Sequence, residues 1–194
     1  MELSREHTEA LLSALDEQLA SRGERFELVV IGGSALIALR LVARTATKDV
    51  DVVALRTERG LEQAKPLPPT LVAARDKVAR DFEISEGWLN AGSADLLRWG
   101  LPDGFVDRLT PRRYGDHLVV HFAGRLDQIH FKLYAAADQQ GGRHEDDLRA
   151  LDPTEDELVL AARWTRTQDP SEGFLLMLQA KLADLGVVDA DLGA

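Results

Sequence analysis

The chain contains no cysteine. That excludes disulfides, thiol nucleophiles and thiolate metal sites, and it leaves the redox compartment open. Aromatic residues make up only 6% of its 194 residues, so the core is expected to be Leu, Val and Ala. No apolar run approaches the ~18 residues needed to span a bilayer. The opening residues MELSREHTEA carry no apolar stretch of the secretory kind, so the expected location is the cytoplasm, with no membrane partner. Basic residues are outnumbered, 23 against 33 acidic, for a net charge of −10. A surface of that sign is a poor general partner for nucleic acid, whose phosphates need a basic face. Arg108, Arg112, Arg113 and Arg125 lie close enough in sequence to make a local basic groove, but scattered solvated arginines are the plainer expectation. Two phosphate motifs are also missing, the GxGxxG of dinucleotide folds and the GKS or GKT of P-loops. No Ser/His/Asp nucleophile signature is present, and the five histidines are taken as structural or surface groups.

What is present has the balance of a soluble globular protein, 45% hydrophobic and 29% charged. The length suits one domain or a compact core with a small appendage. Leu11, Leu12, Leu15 and Leu19 recur at helical spacing and predict a helix over 4–22, with Gly23 as its stop. FELVVI over 26–31 is a buried strand, followed by a Gly32-Gly33 turn and a helix over 34–42. Residues 49–55 alternate and are β-branched, which predicts a second strand. A loop is expected over 56–69, a helix over 70–82, a short strand and turn over 83–90, and a short helix over 94–99. Residues 100–115 look irregular, 117–123 a strand and 126–137 a helix, with QQGGR as a loop. Helices over 144–151, 154–166 and 171–185 follow, separated by Pro153 and Pro170, and the last residues are expected to fray. The expected fold class is mixed α/β (α+β), a mixed sheet with flanking helices. Residues 1–137 form the core with its N-terminal helix, and 138–194 form a small helical extension.

The chemistry concentrates in VVIGGSALIALRLVARTATKDVDVVA. Asp49 and Asp51 sit two apart on a strand, so both carboxylates leave one face. Such a pair suits Mg²⁺, whose remaining positions go to water and substrate phosphate. It also suits two-ion, in-line phosphoryl or nucleotidyl transfer. Taken alone, the pair is more simply read as an exposed strand face with two solvated aspartates. Gly32, Gly33 and Ser34 follow a buried strand and open a helix, where backbone N–H groups attract phosphate. A phosphate turn followed by an acid pair is more specific than either part. On the late helix, Ile129, Lys132, Leu133 and Ala136 share a face, and a lysine within an apolar stripe either snorkels out or meets an anion.

IGGSAL followed by RTATKDVDV resembles the nucleotidyltransferase fold of the DNA polymerase β superfamily. The nearest likeness is to the minimal bacterial branch that includes the AbiE-type toxins and their relatives. There an Arg-x-x-Thr-x-Asp-x-Asp motif is typical, and Arg44, Thr47, Asp49 and Asp51 match it. Lys132-Leu133-Tyr134-Ala135 resembles a late K-L-x-A element. Glu145-Asp146-Asp147-Leu148 resembles an acidic element beyond it, and Trp88-Leu89-Asn90 also recurs in such relatives. The likeness implies a nucleotidyltransferase that binds a nucleoside triphosphate, ATP among the candidates. It places the phosphates on Gly32, Gly33 and Ser34, with Arg44 and Thr47 in the nucleotide site. Mg²⁺ or Mn²⁺ would sit on Asp49 and Asp51, and Lys132 would neutralise phosphate charge. Asp146 and Asp147 are candidates for an additional acid, although acidic residues in a first helical turn are also normal partners of the helix dipole. The acceptor hydroxyl is left open between an RNA or tRNA 3′ end, a protein and a small molecule. The toxin branch further implies a cognate antitoxin or regulator. Many superfamily members carry a third carboxylate on a later strand. Glu83, Asp107 and Asp116 are the candidates here, and none matches securely. The alternative is therefore a catalytically inactive nucleotide-binding or protein-interaction module of the same fold.

Overall fold

The computed structural model describes residues 2–139, 142–188 and 190–192. Part of the expected QQGGR loop and the last two residues, where fraying was expected, lie outside the described residues. A two-residue strand β1 (Leu3–Ser4) leads into α1 (Arg5–Ala20), whose N-terminus is capped by Ser4 Oγ accepting from His7 N–H. Then come β2 (Phe26–Ile31), α2 (Gly32–Ala38), β3 (Ala46–Thr47), β4 (Val50–Thr57) and β5 (Gly60–Gln63). Helix α3 (Pro69–Asp81), β6 (Leu89–Asn90), a 3-10 segment over Gly92–Trp99 and a 3-10 turn over Phe105–Arg108 follow. The chain finishes with β7 (Thr110–Arg113), β8 (Leu118–Phe122), α4 (Arg125–Asp138), α5 (Arg143–Ala150), α6 (Glu155–Gln168) and α7 (Glu172–Asp184). A mixed sheet and flanking helices give an α+β fold. No helix among the described residues is long and apolar enough to cross a membrane.

The main sheet runs β5-β4-β2-β8-β7, with β6 added beside the start of β4. β2 is antiparallel to β4 and parallel to β8, so the centre of the sheet is buried on both faces. On one face Leu28, Val30, Val50, Val52, Leu118 and Val120 pack against the leucines of α1 and Leu71, Ala74 and Val78 of α3. On the other, Val29, Ile31 and Val53 meet Phe105 and Phe131. A third apolar cluster joins Leu36 of α2 and Ile129 and Leu133 of α4 to Leu148, Leu158, Ala161, Phe174 and Leu178 of the later helices. The core is dominated by Leu, Val and Ala, as the scarcity of aromatics implied. A capping box at Thr154 and Glu157 starts α6, and Ser171 caps α7.

Four expectations need correction. Strand β4 runs on to Thr57 and returns through a tight turn as β5, where a loop was expected. β5 is an edge strand carrying Glu62 and Gln63, and edge strands take polar residues because they must not invite further pairing. β7 falls inside the stretch expected to be irregular; its sequence TPRR has a proline and two arginines, tolerable only on an edge strand. Helix α2 stops at Ala38 and not near residue 42. Arg40 turns left-handed (φ 56°) and the Leu41 N–H returns to Leu36 O (2.9 Å), closing the helix while Leu39, Leu41 and Val42 continue the apolar pattern. The short helix over 94–99 is present, but it is 3-10 and begins at Gly92.

Candidate active site

The site lies where the C-terminal end of β2 meets the N-terminal end of β4. Asp51 pairs with Ile31 across the antiparallel ladder and with Asn90 across the parallel one. Asp49 lies just before β4, two residues upstream and on the same face. Asn90 Nδ2 donates to Asp49 Oδ2 (3.3 Å), so the β6 pairing supplies one of the few donors to the acid pair. Burial pushes the Asp51 carboxyl up to about 6, and the neighbouring Asp49 charge adds to the rise. Asn90 and Lys132 oppose it without cancelling it. Asp51 is thus a partly buried carboxylate beside a second acid.

The turn between β2 and α2 is shaped by close approach. Gly32 adopts φ +72°, and a Cβ there would come within 2.8 Å of Asp51 Oδ2. A Cβ on Gly33 would collide with Thr47 Oγ1 and press on the Arg44 guanidinium at 3.1 Å. Glycine is needed at both positions, at the first for its backbone and at the second for space. The Gly32 N–H is already used, donating to Gln128 Oε1 of α4 (3.1 Å). The amides of Gly33 and Ser34 lie in the first turn of α2, where no intrahelical acceptor exists. The Ser34 side chain is only 2% exposed, and its Oγ leans toward Ile31 O at 3.5 Å. Gly33→Ala is expected to lower stability by about 1–3 kcal/mol through overpacking, read as a lower urea midpoint at constant slope. A midpoint equal to the wild type would show that Thr47 and Arg44 can yield, and that the close approach is not a constraint.

Lys132 does not snorkel. It is 4% exposed on α4, and its Nζ pairs with Asp147 Oδ2 at 2.8 Å. Arg44 reaches the same oxygen with Nη2 at 2.9 Å and fixes the loop before β3 by donating to Ala46 O (2.9 Å). Asp147 of α5 is equally buried, so one carboxylate holds two cations at the floor of the site. Burial lowers the Lys132 pKa; Asp147 pulls it back up, and Arg44 pushes it down again. Thr47 Oγ1 sits near Asp49 O at 3.5 Å, which ties the β3 strand to the acid pair only loosely. Asp146, the other acid of that element, is exposed in the first turn of α5. Glu83, Asp107 and Asp116 are exposed and line neither half of the cleft described next. Three of the four arginines weighed as a basic groove have separate partners, Arg108 on Asp127, Arg112 on Glu9 and Arg125 on Glu157.

Two cavities of about 350 Å³ each open beside these groups and share Asp51, Lys132 and His144. Together they form one cleft with two halves. The polar half is lined by Gly33, Thr47, Lys48, Asp49 and Arg143. The apolar half is lined by Ile31, Leu96, Trp99, Phe131 and Tyr134. His144 stands between them. Burial first and Lys132 next lower its pKa, and its Nδ1 is buried without a hydrogen-bond partner.

The structure therefore gathers Gly32, Gly33, Arg44, Thr47, Asp49, Asp51, Lys132 and Asp147, and leaves Asp146 on the surface. Sequence reasoning missed Gln128, His144 and the apolar half. Gln128 was within reach, because it lies four residues before Lys132 and so shares its helix face. Asn90 was noticed only as part of a recurring segment; its place beside Asp49 depends on a parallel strand pairing that no local pattern encodes.

A family model described as "Nucleotidyltransferase of unknown function (DUF6036)" matches residues 9–141. No curated protein and no solved structure matches the chain.

Proposed function

The chain belongs to this nucleotidyltransferase family, and from that premise we propose that it transfers a nucleoside monophosphate from an NTP to a hydroxyl acceptor with a divalent cation. The observation that carries the proposal is the acid pair. Asp49 and Asp51 stand on one face, and burial, with the neighbouring Asp49 charge, raises Asp51 to about 6. Among the described residues no group of three metal-ligating side chains occurs. Two carboxylates are nevertheless the protein share that Mg²⁺ usually takes, the rest coming from water and phosphate oxygens, so the donor set fits Mg²⁺ or Mn²⁺. When bound, such an ion lowers the cost of charge developing on the transferred phosphoryl group.

In this proposal Asp49 and Asp51 hold the cation. Gly33, Lys48 and Arg143, with the α2 amides, receive phosphate oxygens in the polar half of the cleft. Lys132, anchored on Asp147, faces the leaving pyrophosphate as a fixed positive charge that needs no reorganisation. Arg44 and Thr47 act from behind, keeping the α2 turn against the acid pair. The Arg44, Thr47, Asp49 and Asp51 spacing supports kinship with the AbiE-type branch, and with it an RNA or tRNA acceptor and a cognate antitoxin. The net charge of −10 argues for a small or locally gripped acceptor.

A second reading, a nucleotide-binding module without turnover, is favoured by one observation: none of the three candidate base carboxylates lines the cleft. One experiment separates the two. The protein is incubated with Mg²⁺, α-labelled NTPs and total RNA or tRNA, with Asp49→Ala in parallel. Label appearing on RNA or on protein with the wild type alone supports the enzyme. NTP binding that Asp49→Ala weakens, without any transfer, supports the module. Absence of transfer together with NTP binding indifferent to Asp49→Ala sinks the metal-dependent reading.

A further inference from the structure

The phosphate and metal chemistry uses only one half of the cleft. The other half has its own construction. Trp99 ends the 3-10 segment with its indole 66% exposed, although an apolar wall of Ile31, Leu96 and Phe131 lies in the same cavity. The only cationic group among its described lining residues, besides the titratable His144, is Lys132, which the polar half already uses, and the lining also carries the carboxylates of Asp51 and Asp95. This half therefore suits a neutral, flat, apolar group and not a second anion.

Gln168 of α6 adds a polar point to the same lining. Its side chain is 8% exposed, and its Nε2 donates to Gly100 O and Thr167 Oγ1, both at 3.1 Å. Gly100 O can only accept, so the amide orientation is set and Oε1 is left as the remaining acceptor. That oxygen is buried without a partner. Buried polar atoms are normally satisfied, and leaving one bare costs free energy until a donor arrives. The position is built and not incidental. Trp164 Nε1 donates to the same Gly100 O at 3.1 Å, and its ring makes edge contacts with Phe131 (5.5 Å) and His130 (5.7 Å). Those bonds tie α6 to the segment that carries Trp99.

We propose that the apolar half of the cleft is a nucleobase subsite selecting an amino-bearing purine. The ring stacks on Trp99, and the exocyclic amino group donates to Gln168 Oε1. A bicyclic base offers the indole the larger stacking face, and every amino-purine carries the donor that the orphaned oxygen lacks. This inference rests on the nucleotide-binding function proposed above. Gln168 and Trp164 lie beyond residue 141, outside the region that matches the family, whereas Trp99 lies within it.

The test is calorimetric titration of the full chain, in Mg²⁺, with ATP, purine riboside triphosphate (which lacks the amino group) and inorganic tripolyphosphate. The wild type is expected to bind ATP about tenfold more tightly than the amino-less analogue, and Gln168→Leu to abolish that difference. Trp99→Ala is expected to weaken ATP about tenfold and leave tripolyphosphate unchanged. Trp99 is exposed, so this variant carries the test if Gln168→Leu fails to fold. If tripolyphosphate binds and both variants hold ATP as the wild type does, the base subsite is overturned while the nucleotide function stands. If neither ATP nor tripolyphosphate binds the wild type, both are overturned.

Discussion

Asp51→Asn is expected to make the metal-free protein more stable at pH 8 while removing its response to Mg²⁺. Burial and the Asp49 charge raise the Asp51 carboxyl from 3.8 to about 6. A folded-state value above the unfolded one means that this group stabilises the fold below about pH 4. The stabilisation is lost as pH rises through 6. Above that point the ionised pair is a standing cost, on the order of 2–3 kcal/mol for a shift of this size. Asparagine keeps the shape and removes the repulsion. For a chain of this length the gain corresponds to a rise in melting temperature of roughly 4–10 °C. Mg²⁺ relieves the same repulsion in the wild type, and ligation at 100 times Kd stabilises by about 2.7 kcal/mol. The variant has lost half the ligand pair and should not respond; its transfer activity should fall by about a thousandfold. Thermal melts from pH 5 to 8, with and without Mg²⁺, check this. A wild type that melts at one temperature throughout, and a variant that melts lower at pH 8, would show that the acid pair is not under electrostatic strain.

The second large effect concerns Asp147. Its replacement by alanine leaves the buried Lys132 and the half-buried Arg44 side by side with their shared anion gone. Breaking a buried charged pair from one side typically costs about 3–5 kcal/mol, because the remaining charge has neither partner nor water. Two like charges left behind place Asp147→Ala toward the upper end. Lys132→Met in the same protein removes the most buried of the stranded charges, and the double variant should recover about half of the loss. Urea unfolding of the four proteins in the cycle measures the coupling. Additivity within about 0.5 kcal/mol would mean that the Lys132–Asp147 contact carries no net energy. Activity adds a second readout. Lys132→Met alone should be folded but impaired in transfer if the ammonium serves the leaving phosphate.

The parts of this protein that local pattern encodes were legible in the chain. Leu11, Leu12, Leu15 and Leu19 recur at helical spacing, and all four are fully buried on one side of the sheet. β2 was legible because its Leu28–Ile31 stretch, buried on both faces of the sheet, reads as a continuous apolar run. β5 and β7 were not, because an edge strand owes its conformation to the neighbour it pairs with and is free to carry charge and proline. The same division runs through the site. The two-residue spacing of Asp49 and Asp51 is a local property of the chain where it enters β4, and it brings both carboxylates together. Lys132 stood out as a charge within an apolar helix face, but the identity of its anion did not follow.

Asp147 is brought to it by the packing of α5 on α4, and Arg44 arrives at the same oxygen from a loop far earlier in the chain. Asn90, Gln128 and the Trp99–Gln168 wall likewise come from separate elements whose meeting depends on strand register and helix docking. Residue type and spacing settled which chemistry this chain can carry, because they act within one element. Which charges are neutralised, which are left in want of a cation and where a ring can lie were decided by tertiary structure, because solvation and pairing depend on what the fold brings from elsewhere.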